Sequence, residues 1–212
     1  NLTRIVTEAE IKSALFSMHP NKAPGPDGMT PLFFQKFWSV IRSDIVPAIQ
    51  SFFHSGFMLK SLNHTVVSLI PKVVMPFNLK DYRPISLCNV LYKIISKVLA
   101  NRLKYNLDCC ISKNQAAFVP GRQILDNVIV SHEYLHCLRN KRTGSVGCMA
   151  LKLDMAKAYD RVEWKFLCAV MQKMGFSERW INWVWKCLST VSYSFKINGD
   201  QRGYVNPKRG IR

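Results

Sequence analysis

Acidic residues are scarce in this sequence. Its 212 residues include 13 Asp and Glu against 30 Lys and Arg, which gives a formal net charge of +17 at pH 7. Such an excess of basic residues is typical of proteins that bind an anionic polymer or an anionic membrane surface. Long apolar runs are lacking too: no stretch approaches the roughly 20 residues that a membrane-spanning helix requires, and no signal-peptide pattern is present. The combination favours a nucleic acid as the partner and indicates no membrane.

Paired cysteine motifs are also missing. The seven cysteines are odd in number, and no two of them are spaced as C-x-x-C. Because zinc ribbons and disulfide frameworks depend on such spacings, the sequence supports neither. We therefore expect reduced thiols in an intracellular protein.

Apolar periodicity and capping residues predict a mixed fold of the α+β class. Helices are expected over residues 8–18, from Pro31, from a cap at Asp44 to Gly56, and over 89–107, 125–140, 160–174 and 178–188. Strands are expected over residues 66–70, 82–87 and 148–154, and a hairpin joins 191–197 to 201–205 through Asn198-Gly199. Pro84 marks the second strand as an edge strand or a strand end. The tryptophans at 164, 180, 183 and 185 favour core packing over a base-stacking platform.

The most informative segment is Leu153-Asp154-Met155-Ala156-Lys157-Ala158-Tyr159-Asp160. It places a carboxylate at the end of a predicted strand and an aromatic residue five positions later. Nucleotidyl transfer uses two Mg²⁺ ions about 3.5–4 Å apart, and Mg²⁺ prefers oxygen ligands such as carboxylates. A strand-terminal aspartate is suited to that task because the strand holds it rigidly. Taken alone, the segment also fits a plainer interpretation in which Asp154 caps the following helix.

Six blocks in a fixed order carry a resemblance to a known family. They are Lys22-Ala23-Pro24-Gly25-Pro26-Asp27-Gly28, Leu69-Ile70-Pro71-Lys72, Tyr82-Arg83-Pro84-Ile85-Ser86-Leu87, Gln115-Ala116-Ala117-Phe118-Val119-Pro120-Gly121-Arg122, Leu153 to Asp160, and Asn198-Gly199 with Arg209-Gly210-Ile211-Arg212. In these blocks the chain resembles the reverse transcriptases of LINE-type retrotransposons, which lack long terminal repeats (non-LTR), and particularly those of plants. The resemblance covers nearly the whole chain. One block alone is weak, whereas six in order are specific.

The resemblance implies a nucleotide site around Asp154. This residue matches the first catalytic aspartate of the polymerase palm, and the carbonyl of Met155 would be a second metal ligand. The complete enzyme would hold two Mg²⁺ ions, with Mn²⁺ as a possible substitute. The amides of Lys157 and Ala158 would face the triphosphate, where donors accumulate at a strand–helix junction. Tyr159 matches the aromatic gate that rejects a ribose 2′-OH.

Further residues are implied to contact phosphates and the template. Lys72 and Arg83 match fingers residues that hold the phosphates of the nucleotide, a task suited to a point charge and a planar fork. Gly121 and Arg122 form a turn expected against the template, and Arg212 closes the last block with a nucleic-acid-binding role. The implied partners are an RNA template, a DNA primer and a dNTP, and no protein partner can be inferred.

The fold implied by the resemblance is a right-hand polymerase of the reverse transcriptase type. Residues 1–58 would form an N-terminal helical extension, and residues 59–212 the fingers and part of the palm, incomplete at the C-terminus. In the family, a Gln-Gly-Asp-Pro block and an aromatic-Ala-Asp-Asp hairpin follow, and the hairpin supplies the other two carboxylates. The resemblance thus implies RNA-templated DNA synthesis by a nuclear enzyme and no activity of this piece alone. The alternative is a catalytically dead remnant that binds only RNA or an RNA–DNA hybrid.

A rival motif lies in the predicted helix 125–140. His132-Glu133-Tyr134-Leu135-His136 satisfies H-E-x-x-H, the signature of zinc metallopeptidases. Imidazoles at positions i and i+4 share one helix face and could chelate Zn²⁺. Both histidines, however, fall on the apolar stripe that includes Val128 and Ile129. The sequence therefore favours a pair of partly buried helix histidines over a peptidase.

Overall fold

A computed structural model describes residues 2–142, 144 and 146–211. The chain divides into two compact units, one formed by Asn1–Asn101 with Tyr159–Arg212 and the other by Arg102–Ala158. The described residues form eight α-helices: α1 (Glu8–Phe16), α2 (Pro31–Lys36), α3 (Trp38–Ser55), α4 (Val90–Lys104), α5 (Leu107–Cys110), α6 (Ile124–Asn140), α7 (Trp164–Lys173) and α8 (Glu178–Ser189). The strands of these residues are β1 (His64–Pro71), β2 (Tyr82–Cys88), β3 (Ser192–Ile197) and β4 (Asp200–Val205). The predicted mixture of helices and strands is confirmed.

The four strands form one sheet in the order β2-β1-β3-β4. β1 pairs antiparallel with β2 and parallel with β3, and β4 pairs antiparallel with β3. The central position of β1 explains its β-branched run, because Thr65, Val66 and Val67 are all buried. Pro84 lies on the edge strand β2, as predicted, where a residue without an N–H group removes no bond from the sheet interior.

The β3–β4 hairpin turns at the predicted dipeptide. Asn198 and Gly199 both have positive φ angles, 51° and 92°. A two-residue turn of type I′ requires this conformation at both positions, and the Asn-Gly pair adopts it at low cost. The hairpin register is therefore set locally.

Helix α1 begins as its sequence predicts. The Thr7 hydroxyl accepts a hydrogen bond from the Glu10 amide at 3.3 Å, and the Glu10 carboxylate accepts one from the Thr7 amide at 3.2 Å. This capping box satisfies two of the amides that a helix leaves without intrahelical partners. Ile11, Ala14 and Leu15 then face the core.

The predicted helix start at Asp44 is wrong. Helix α3 begins at Trp38 and continues through both Asp44 and Pro47 to a left-handed cap at Gly56, which has φ 71°. A proline inside a helix removes one hydrogen bond and crowds the preceding turn. Here the burial of Ile45, Ile49, Phe52 and Phe53 along one side keeps the helix continuous.

The tryptophan cluster forms much of the core of the first unit, as predicted. Trp180 and Trp183 are each 1% exposed and Trp164 is buried, while Trp185 is half-buried. Phe53 of α3 meets Trp183 edge-to-face, with ring centroids 5.0 Å apart. This contact, of the kind that aromatic rings prefer, joins α3 to α8.

Three other expectations are corrected. The predicted helix 89–107 ends at Lys104 and is followed by the separate short helix α5. The predicted helix 160–174 is a single 3-10 turn, Tyr159–Arg161, followed by α7 from Trp164. Residues 148–154 do not form the predicted strand and have no strand partner among the described residues. Because a strand is stabilised by its pairing with a neighbouring strand, an apolar run alone does not create one.

Candidate nucleotide site

The β1–β2 hairpin places Lys72 and Arg83 near one end of the sheet. Ile70 pairs with Arg83. The Lys72 amide donates to the Asp81 carbonyl at 2.7 Å, and its Nζ donates to the Lys80 carbonyl, also at 2.7 Å. Both Lys72 and Arg83 are exposed. The structure thus presents two cations to solvent, Lys72 just after β1 and Arg83 on β2.

Asp81 organises the loop between these two cations. Its Oδ2 accepts hydrogen bonds from the amides of Phe77 at 3.0 Å and Asn78 at 2.8 Å. Sequence reasoning missed this residue, although the spacing Asn78-x-x-Asp81 is that of a capping box. The carboxylate therefore fixes the backbone at residues 77 and 78, whereas the Asp81 carbonyl holds the Lys72 amide.

Tyr159 is held by the segment near the end of the chain. Its carbonyl accepts a hydrogen bond from the Ile211 amide at 2.9 Å, and the Gly210 amide donates to the Val162 carbonyl at 2.8 Å. The indole Nε1 of Trp164 donates to the Gly210 carbonyl at 2.6 Å. Two of the six sequence blocks therefore meet, and Tyr159 remains 56% exposed.

Gly210 is required for this contact. Its φ angle is +86°, and a Cβ atom there would lie 3.1 Å from the Asp160 carbonyl oxygen and 3.3 Å from its Cα. A side chain would thus suffer both from the left-handed conformation and from the close backbone. Arg212, the last of the predicted nucleic-acid-binding residues, lies outside the described residues.

In the second unit, Asp154 and Met155 are exposed on the segment that forms no strand. Lys157 has a positive φ of 52° in the turn that follows. The carboxylate of Asp154 is of the hard oxygen type that Mg²⁺ accepts, and one or two protein carboxylates with substrate phosphates can suffice. Among the described residues, no group of three or more His, Cys, Asp or Glu is arranged to hold a metal. Asp154 therefore offers Mg²⁺ one carboxylate, whose oxygen atoms are of a suitable type.

The Arg122 guanidinium is engaged by its own unit. Nη1 donates to the carbonyls of Ser112 at 2.6 Å and Gln115 at 2.7 Å, and Nη2 pairs with Asp108 at 2.9 Å. Only 18% of the side chain is exposed. Gly121 precedes it with φ +78° and open space around its α-carbon. Arg122 therefore ties the 108–122 segment together, an internal role that the motif did not reveal.

The first sequence block packs against the beginning of α4. A Cβ atom on Gly25 would lie 2.4 Å from both the amide nitrogen and the Oδ1 of Asn89. The buried Asn89 side chain in turn donates to the carbonyls of Ser61 at 3.1 Å and Leu62 at 3.2 Å. The glycine allows a close backbone approach, and sequence reasoning assigned it no such role.

The histidine pair of the H-E-x-x-H motif lies on α6. Both His132 and His136 are exposed, as are the apolar residues Val128 and Ile129 beside them. The expectation of partly buried histidines is therefore wrong, because the apolar side of α6 is not packed within its unit. His136 Nε2 lies 3.0 Å from Asn140 Nδ2 on the next helical turn.

Comparison with known proteins identifies the class. Residues 70–212 match the family model described as reverse transcriptase (RNA-dependent DNA polymerase). This stretch includes Lys72, Arg83, Asp154 and Tyr159. The chain belongs to the reverse transcriptase family. Members of this family generally use divalent metal ions.

The relatives come from transposable elements. The chain is 35% identical over 207 residues to the transposon TX1 uncharacterized 149 kDa protein of Xenopus laevis, covering 98% of this chain and 16% of that protein. It is 26% identical over 208 residues to the retrovirus-related Pol polyprotein from type-2 retrotransposable element R2DM of Drosophila melanogaster, covering 98% of this chain and 19% of that protein. The chain therefore spans less than a fifth of the length of these two relatives. They support its assignment to the reverse transcriptase domain of a non-LTR retrotransposon.

No helix of the described residues has both the length and the apolar character needed to cross a membrane.

Proposed function

We propose that this chain is the part of a non-LTR retrotransposon protein that carries out RNA-templated DNA synthesis. The observation that carries the proposal is the family match over residues 70–212, which contains Asp154 and Tyr159 in one short segment. The substrates would be an RNA template, a DNA primer and a dNTP. The finer proposals are a plant element, a right-hand arrangement of fingers and palm, and action in the nucleus.

The metal would be held by the Asp154 carboxylate and the Met155 carbonyl. Both are accessible, and both offer oxygen atoms of the type that Mg²⁺ or Mn²⁺ binds. When bound, two such ions would activate the primer 3′ oxygen and stabilise the leaving pyrophosphate. The protein would contribute the Asp154 carboxylate, and the nucleotide phosphates would supply further oxygen ligands.

Tyr159 would discriminate against ribonucleotides. Its carbonyl accepts a hydrogen bond from the Ile211 amide at 2.9 Å, whereas the residue as a whole is more than half exposed. A rigidly held backbone with an accessible ring is what a steric gate requires, because the ring must resist displacement by a 2′-OH. The anchoring by Gly210 and Ile211 is the structural support for this role.

The phosphates of the nucleotide would be bound by Lys72 and Arg83, together with the amides of Lys157 and Ala158. Arg83 offers a planar fork and Lys72 a point charge, which suits a flexible triphosphate. The Asp81 bonds that fix the loop support the role of Lys72, because they restrict its backbone.

The Pro-Gly-Arg turn would contact the template through Gly121 and its neighbours rather than through the Arg122 head group. The guanidinium already makes two bonds to carbonyls and one to Asp108. We therefore assign Arg122 a positioning role in the turn. Arg212 would extend the nucleic-acid contact.

The test is primer extension by the protein encoded in the complete reading frame that contains these residues. The assay uses a labelled DNA primer on an RNA template with dNTPs and Mg²⁺. We expect Asp154→Asn to lower the rate at least 100-fold, since loss of one group that stabilises developing charge costs about 10²–10³. Asp126→Asn, on an exposed carboxylate of the same unit to which no role is assigned, is the matched control.

Two outcomes would overturn the proposal. One is a wild-type protein that binds RNA but adds no nucleotide, which would favour the remnant alternative. The other is equal extension by the wild type and Asp154→Asn. Reading the coding sequence after residue 212 gives a second check, because a stop codon before an Ala-Asp-Asp block would exclude the enzyme.

A further inference from the structure

We propose that His132 and His136 of α6 together bind one divalent transition metal ion such as Zn²⁺. The two residues belong to the H-E-x-x-H motif, to which the proposed function gives no role. They line one cavity of about 420 Å³ with Leu135, Leu138 and Arg139. The sequence disfavoured a metal here because both histidines were expected on a packed apolar stripe. Both are instead exposed, which removes that objection.

The spacing of the two histidines suits chelation. Both lie inside the continuous helix Ile124–Asn140, so their backbone positions are fixed relative to each other. Side chains four residues apart on a helix share one face, with Cβ atoms about 5–6 Å apart. Imidazole nitrogens bind Zn²⁺ at about 2.0–2.1 Å, so rings that extend from these two Cβ atoms can reach a single ion. The helix therefore arranges two ligands before the ion arrives.

One ring nitrogen of His136 already has the form that a metal ion requires. Its Nε2 lies 3.0 Å from Nδ2 of Asn140. Because an amide nitrogen only donates, Nε2 accepts this hydrogen bond and the proton of the neutral ring sits on Nδ1. A metal ion at Nε2 would use the same lone pair and replace this one contact.

The ligand atoms and the neighbouring charges select the class of ion. Glu133 is exposed and lies three residues before His136, where its carboxylate can offset part of the charge of an ion. Arg139 lines the cavity and opposes any cation, so charge alone would not hold an ion there. Imidazole suits Zn²⁺, Ni²⁺ and Cu²⁺, whereas Mg²⁺ prefers oxygen ligands. The site should therefore take a transition metal ion and refuse Mg²⁺.

The described residues do not complete the zinc site of a peptidase. A catalytic zinc has three protein ligands, and no group of three or more His, Cys, Asp or Glu in the described part of the chain is arranged to hold a metal. Water would complete the coordination of an ion held by two imidazoles. Because the two rings come together only when α6 is folded, the ion would stabilise the native helix.

The test is footprinting of the 212-residue chain with diethyl pyrocarbonate, which acylates free imidazole nitrogens. Mass spectrometry of the digested protein gives the acylation rate at each histidine separately, with ZnCl₂, with MgCl₂ and with neither. His19 and His54 are exposed and serve as internal controls. Zinc bound only by cysteines elsewhere would leave all of these rates unchanged, so the measurement distinguishes the two kinds of site.

We expect Zn²⁺ to slow the acylation of His132 and His136 together, with one midpoint, and to leave His19 and His54 unaffected. Mg²⁺ should slow none of the four. His136→Gln should raise the Zn²⁺ concentration that protects His132 at least about tenfold, because the second ligand of a chelate binds intramolecularly.

Two further variants separate metal binding from folding. His136→Cys supplies a thiolate, which is also a Zn²⁺ ligand, and should keep the protection of His132. Cys137→Ser is the matched control: this exposed residue is next to His136 but does not share its helix face, so protection should not change.

Acylation of His132 at one rate with and without Zn²⁺ would overturn the inference. Equal slowing of His19 and His54 would do the same, as would undiminished protection of His132 in the His136→Gln variant. A failure of primer extension would leave the inference standing, because neither histidine is among the residues proposed for synthesis and footprinting requires no reaction on a template. The two proposals can therefore fail separately.

Discussion

Gly25→Ala tests the close packing of the first sequence block. The new Cβ would lie 2.4 Å from the Asn89 amide nitrogen, 2.4 Å from its Oδ1 and 2.6 Å from its Cα. Two of these three atoms belong to the backbone at the start of α4, so a change of side-chain rotamer cannot relieve the overlap. Either the loop or the helix end must move.

The expected cost combines two effects. Overpacking of a tight site costs typically about 1–3 kcal/mol. Displacement of Asn89 also weakens its bonds to the carbonyls of Ser61 and Leu62, each worth about 1 kcal/mol. We therefore expect the free energy of unfolding to fall by about 2–4 kcal/mol.

The assay is urea unfolding followed by tryptophan fluorescence. All five tryptophans lie in the same compact unit as Gly25, so the signal reports on that unit. The matched control is Gly28→Ala, which has φ +71° but nothing within 4 Å of its Cβ position. It should cost only the left-handed strain of about 1–2 kcal/mol. If Gly25→Ala costs no more than Gly28→Ala, the argument from close approach is refuted.

Three further predictions concern local features. Gly210→Ala puts a Cβ 3.1 Å from a backbone oxygen at φ +86°. Because this contact adds to the left-handed strain of about 1–2 kcal/mol, the free energy of unfolding should fall by more than in Gly28→Ala. The fluorescence of Trp164, whose indole binds the Gly210 carbonyl, should change, and an unchanged spectrum would contradict the argument. Thr7→Ala removes the cap of α1 and should cost about 1 kcal/mol, whereas Thr7→Ser should restore it. Burial raises the pKa of Cys168, so less thiolate forms at pH 8, and iodoacetamide should alkylate it more slowly than the exposed Cys137. The difference between the two alkylation rates should narrow as the pH rises toward 9.5. A ratio of the two rates that does not change with pH, measured by mass spectrometry, would exclude the raised pKa of Cys168 as the cause.

Signals between neighbouring residues predicted much of the fold. The Thr7–Glu10 box defined the start of α1, and Asn198-Gly199 defined the β3–β4 turn. Pro84 correctly marked an edge strand. The cap and the turn depend on a backbone conformation or a hydrogen bond within four residues, and Pro84 is informative because a residue without an N–H group is confined to strand edges or ends. Residue types alone therefore predict these features.

The candidate site also combines features that the sequence predicted with features that it did not. Motif order placed Asp154 and Tyr159 in the right family, and the family match confirms that class. The roles of individual residues at the nucleotide stay predictions. The internal bonds of Arg122 could not be anticipated, because its carbonyl and carboxylate partners, on Ser112, Gln115 and Asp108, carry no signature of such a contact.

Tertiary contacts decided the remaining features. Burial of one apolar side kept α3 continuous through Pro47, and residues 148–154, which have no pairing partner among the described strands, form no strand. The contacts of Gly25 with Asn89 and of Gly210 with Asp160 join positions 64 and 50 residues apart. The sequence by itself determined the family, the local turns and caps, and the excess of positive charge. Only the folded chain decided which glycines meet a backbone and which side chains are buried, because both depend on residues brought together from distant parts of the sequence.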